Sequence, residues 1–135
     1  MSYLSESATG ITPVGLVIRV YENIVSDLGR AILAVRDGDI EKRSLQLDHA
    51  LLLIAHLESA LDMKSGGEPA RLLDKFYMLA RTRILQAQSK QSGKILEEIA
   101  NDFLSIRDAW AMVEQQQGAA ASKAQLPAGH VSCVV

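Results

Sequence analysis

The clearest pattern in the chain lies between residues 92 and 114. Leu96, Ile99, Phe103, Ile106, Trp110 and Val113 recur at steps of three, four, three, four and three. That is the period of one helix face, whereas a strand alternates every two residues. Three earlier stretches carry the same period. The first holds Val17, Tyr21, Ile24, Leu28, Ala31 and Val35. The second holds Leu47, Ala50, Ile54, Leu57 and Leu61, and the third Leu73, Phe76, Ala80, Ile84 and Ala87. Three breaks separate the four: Asp37-Gly38-Asp39, Ser65-Gly66-Gly67 and Lys90-Gln91-Ser92-Gly93. Each stretch of roughly 20–25 residues makes a helix of about 30–35 Å.

The starts are marked as well. Thr12-Pro13 opens the first, since threonine caps free N–H groups and proline fits the first helical position. The others open near Asp39, near Glu68-Pro69 and near Ser92. Short turns favour antiparallel neighbours, so the expected fold is all-α, an antiparallel up-down four-helix bundle over residues 12–117. Residues 1–11 form a flexible arm in this reading. After Glu114 the chain becomes rich in Ala, Gln and Gly and contains Pro127, so residues 118–135 are expected as a disordered, mobile tail. Trp110 falls on the fourth stripe and is expected in the core, closing the bundle's last layer. Its truncation should cost about 3–5 kcal/mol.

One apolar face per helix is enough for a bundle. Three of these helices carry more. The first adds Val14, Ile18, Val25 and Ile32, the second Leu45, Leu52 and Leu53, and the third Leu72, Met78, Leu79 and Leu85. One outcome is a wide core. The other is an exposed groove that receives a helix from a partner or from a second copy of this chain, as a homodimer.

Composition narrows the function classes. The 14 Lys and Arg against 16 Asp and Glu leave a net charge of -2 over 135 residues, which gives no electrostatic reason for nucleic-acid binding. No apolar run reaches the ~18 residues a membrane span needs, and the N-terminus has no secretory-signal pattern. The single cysteine, Cys133, excludes an internal disulfide and suggests a reducing compartment, the cytosol. The terminal Cys-Val-Val is one residue short of a prenylation box, so Cys133 reads as incidental.

Catalytic and metal chemistry find no constellation. His49 and His56 are seven apart, about 10 Å along one helix face, too far to share an ion. No Glu-x-x-His pair, haem-attachment motif or phosphate loop occurs. The expectation is a protein that is not an enzyme and needs no cofactor. The cluster Arg71, Lys75, Arg81 and Arg83 reads as a solvated face paired to Glu97, Glu98 and Asp102 of the fourth helix.

Three blocks resemble the FliS family of flagellar secretion (export) chaperones. The first is Thr12-Pro13 with Val20-Tyr21-Glu22-Asn23. The second is Gly66-Gly67-Glu68-Pro69-Ala70 followed by Leu79-Ala80-Arg81-Thr82-Arg83-Ile84-Leu85-Gln86-Ala87. The third is Leu104-Ser105-Ile106-Arg107-Asp108-Ala109-Trp110. The chain departs from the family at Val14-Gly15, where an acidic pair is usual, and at Glu22-Asn23 and Gln88. The resemblance implies a cytosolic chaperone that binds the C-terminal helical region of flagellin, prevents premature polymerisation and meets components of the flagellar export gate. It also implies a tyrosine-bearing N-terminal arm, for which Tyr3 is the candidate. With the surplus stripes, the expected flagellin-binding residues are Tyr3, Ile18, Val25, Leu45, Leu52, Leu72 and Leu79. The alternative is a helical adaptor or self-associating bundle without that client.

Overall fold

The computed structural model describes residues 12–125, and within them every regular element is helical. Four helices follow in order: α1 (Pro13–Asp37), α2 (Ile40–Ala60), α3 (Gly67–Lys90) and α4 (Gly93–Gln125). Each packs on its chain neighbours, and α4 closes back on α1, giving the up-down-up-down ring. α1 is the hub. It packs extensively on α4 and α2, whereas α3 meets α2 and α4 more sparsely.

Local chemistry sets the ends. The Thr12 hydroxyl accepts from the Gly15 N–H at 2.9 Å, with Pro13 in the first turn. The same hydroxyl donates to Glu114 at 2.8 Å, tying the start of α1 to a late turn of α4. Gly38 takes the left-handed conformation that ends α1, at φ 71. Asp39 then caps α2 through the Lys42 N–H at 3.0 Å. In the α2–α3 turn, the Asp62 carboxylate accepts from the N–H groups of Lys64 and Ser65, both at 3.1 Å. Gly66 is required there for space: an added Cβ would collide with the Asp62 carbonyl and lie 2.5 Å from the Ala70 Cβ. Gln91 adopts the left-handed conformation, and Ser92 caps α4 through the Ile95 N–H at 3.2 Å.

The stripes meet in one core of Tyr21, Ile24, Leu28, Leu47, Ile54, Ile84, Leu96, Ile99 and Phe103, with alanines where helices approach closely. Its aromatic centre is edge-to-face. The Tyr21 ring lies 5.2 Å from Phe103 and 6.3 Å from Tyr77, and Phe76 lies 4.8 Å from Phe103.

Two expectations change. The helical run does not stop near residue 117: α4 continues through Gly118 to Gln125. Ala119, Ala120, Ala121, Lys123 and Ala124 are strong helix formers, so propensity extends the helix where no apolar stripe does. The rest of the expected tail, 126–135 with Cys133, and the arm 1–11 lie outside the described residues. The basic cluster also divides. Arg83 pairs with Glu98 and reaches Asp102 at 3.8 Å, but Arg81 turns to Glu58 of α2 at 2.7 Å and Arg71 to Glu68 of its own helix.

Gly29 offers a direct check of the helix assignment. It lies exposed within α1, and a Cβ there meets nothing within 4 Å. Gly29→Ala should therefore raise stability by about 0.5–1 kcal/mol, read as a higher thermal midpoint. A lowered midpoint would contradict the assignment.

Candidate protein-binding surface

The surplus apolar residues divide by location. Leu45 and Leu52 are seven apart on α2, on the side away from the buried Leu47, Ala50 and Ile54. Leu72 and Leu79 are seven apart on α3. All four are largely in solvent, at 66%, 54%, 56% and 58% exposure. Met78 and Leu85 add to the exposed apolar area of α3, and Ile40 to that of α2. A helix with apolar residues on opposite sides is normally covered on both. Among the described residues, the outer sides of α2 and α3 are thus left uncovered at these positions.

Ile18 and Val25 lie elsewhere. They are half-buried on a flank of α1 that faces α4, and Val25 packs against the core. Ile32, seven further on, approaches Gly93 of α4, and Glu22 on the same flank meets Arg107 at 3.1 Å. The structure therefore leaves Leu45 and Leu52 exposed on α2 and Leu72 and Leu79 exposed on α3, with Leu72 on the trough that α3 shares with α4, and assigns Ile18 and Val25 to the α1–α4 seam. A second stripe looks alike in sequence whether a neighbouring helix covers it or not. Tyr3 lies outside the described residues.

Two apolar recesses open beside this surface. One, of about 410 Å³, is a trough between α3 and α4 lined by Leu72, Leu73, Phe76, Ile106, Ala109 and Val113. The other, of about 280 Å³, lies at the bundle end among Val17, Leu57, Leu61, Ala70 and Tyr77. Pro69, Leu73 and Trp110 border both. Trp110 is accordingly not the closed core residue that its stripe position suggests. It packs on the core but stays half-buried, because among the described residues none covers its outer face across the sparse α3 contact.

The indole is anchored from below. Its Nε1–H donates to the Tyr21 hydroxyl at 3.3 Å, and that hydroxyl is 2.6 Å from the Tyr77 hydroxyl. Burial pushes both phenols up from their usual range, so both hydroxyls remain protonated at neutral pH.

One polar feature was hidden by the stripes. Asp27, 1% exposed, sits in the apolar register of α1. Its carboxylate receives Arg30 at 2.7 Å and His49 Nδ1 at 2.6 Å. Arg30 also donates to Gln46 at 2.9 Å, so the cluster pins α1 to α2. A lone acid between stripe residues Ile24 and Leu28 was the available signal. Its pairing to His49 gives that histidine a structural partner.

Among the described residues, no helix is long and apolar enough to cross a membrane, and no group of three or more His, Cys, Asp or Glu could hold a metal ion. A small helical bundle with exposed apolar helix positions and two apolar recesses has the kind of surface that polypeptide-binding proteins present. The family described as Flagellar protein FliS matches residues 1–117. The flagellar secretion chaperone FliS of Salmonella typhimurium is 29% identical over 103 residues, 76% of each chain. That of Campylobacter jejuni is 27% identical over 114 residues, 84% of this chain and 89% of its own. That of Vibrio cholerae is 31% identical over 80 residues, 59% of each. The chain belongs to the FliS family.

Proposed function

We propose that this protein is a cytosolic flagellar export chaperone whose client is the C-terminal helical region of flagellin. The observation that carries the reading is the exposure of Leu45 and Leu52 on α2 and of Leu72 and Leu79 on α3 of a FliS-family bundle. Apolar helix faces that flagellin subunits would otherwise offer to one another cover the α2–α3 half and enter the trough beside Trp110. Held this way, the subunit cannot polymerise early and stays competent for the export gate. The client folds as it binds, so part of the contact energy offsets chain ordering and the complex remains releasable. Nucleotide has no role in this step.

The test is co-purification with flagellin from the same organism, full length and lacking its C-terminal segment. A complex should form with the first and not with the second. A tight dimer of this chain that hides the four leucines and ignores flagellin would replace the chaperone reading with a self-associating bundle.

A further inference from the structure

Tyr21, Tyr77 and Trp110 bring three polar hydrogens to two phenol oxygens. The indole N–H goes to the Tyr21 oxygen, and one hydroxyl hydrogen makes the Tyr21–Tyr77 bond. One hydroxyl hydrogen is left over. Tyr21 is fully buried between Phe103 and Tyr77, where a spare donor would stay unsatisfied. Tyr77 lines the bundle-end recess. The arrangement that strands nothing has Tyr21 donating to Tyr77 and the Tyr77 hydrogen turned into the recess. The walls are mainly apolar. The one acid among them, Asp62, already accepts from the Lys64 and Ser65 N–H groups and the Ser65 hydroxyl through its carboxylate and from the Gly66 N–H through its carbonyl, so a free acceptor arrives with the occupant.

We propose that Tyr77 is a specificity-determining residue of the client site. Its hydroxyl donates to a carbonyl oxygen of the bound flagellin segment, whose adjoining apolar side chain fills the recess against Leu57, Leu61 and Trp110. The readiest acceptor is a carbonyl of a last helical turn or a non-helical stretch of the client, which has no N–H of its own helix on it. Tyr77 thus favours a client segment that brings a free carbonyl to the recess, a property that apolar matching alone does not read. The proposal rests on flagellin being the client.

The two tyrosines allow a comparison, because Tyr77→Phe and Tyr21→Phe both abolish the same internal hydrogen bond, while Tyr21→Phe also removes the acceptor of the Trp110 indole. Only Tyr77→Phe removes the donor offered to the client. Affinities for the flagellin C-terminal segment are measured by titration calorimetry, with melting curves in parallel. Tyr77→Phe should bind about tenfold more weakly than wild type, and Tyr21→Phe within about twofold of it. Equal affinity of Tyr77→Phe and wild type, or equal weakening by both variants, overturns the proposal. A wild type that ignores the segment overturns the client reading along with it. Should Tyr77→Phe fail to fold, the wild type suffices: donation to a new acceptor shifts tyrosine absorption to the red on binding, and no shift overturns the proposal.

Discussion

Replacing Tyr21 by alanine will cost about 3–5 kcal/mol of stability, the largest loss expected of any single truncation here. The residue is fully buried, stacks edge-on against Phe103 at 5.2 Å and against Tyr77 at 6.3 Å, and accepts the Trp110 indole N–H. Truncation therefore opens a cavity at the aromatic centre, strands the indole N–H and takes the Tyr21 donor from the Tyr77 oxygen. Each kcal/mol moves the midpoint by about 4 °C for a chain of 135 residues, so a fall of about 10 °C or more is expected. Tyr21→Phe separates the contributions. It keeps the ring and loses only the hydroxyl, so its cost should be about 1–2 kcal/mol. Urea unfolding of the three proteins gives the comparison. A Tyr21→Ala protein within about 1 kcal/mol of wild type would show that the aromatic centre does not carry the bundle.

The same residue shows how far the sequence could be read. Tyr21 belonged to the α1 stripe by spacing, and the helix starts at Thr12-Pro13, Asp39 and Ser92 follow from capping chemistry written in single residues. Such local signals need no knowledge of the neighbours. What required the neighbours stayed hidden. Spacing put Trp110 on the inner face of α4, but whether its outer side is covered depends on how closely α3 approaches. Arg81 chose Glu58 over the acids of α4 because α3 turns that flank toward α2. Asp27 carries no mark in the stripe spacing, and only the fold shows Arg30 and His49 closing on it. The surplus stripes were legible as surplus, yet spacing alone does not tell the covered Val25 from the bare Leu52. α4 past residue 117 was hidden for the opposite reason: propensity without a stripe leaves no periodic mark.

The difference between covered and bare leads to the strongest prediction for binding. Leu52→Asp combined with Leu79→Asp should weaken the flagellin complex at least about 100-fold and leave the fold intact. Both side chains are more than half exposed, at 54% and 58%, so the free protein loses little apolar burial when they change. The complex loses much more. Covering the rest of each leucine contributes about 1 kcal/mol, and a carboxylate in its place must be desolvated against an apolar helix face, at a further 1–3 kcal/mol or so. Together these exceed the ~2.8 kcal/mol that a 100-fold change in affinity requires. Val25→Asp provides the contrast. Val25 is packed on the core at the α1–α4 seam, so its substitution should lower the melting midpoint first and affect flagellin only through loss of folded protein. Circular dichroism and calorimetric titration of the two variants give opposite signatures if the α2–α3 half is the client surface. A folded Leu52→Asp, Leu79→Asp protein that holds flagellin as tightly as wild type would exclude that surface, and the seam would have to open to admit the client.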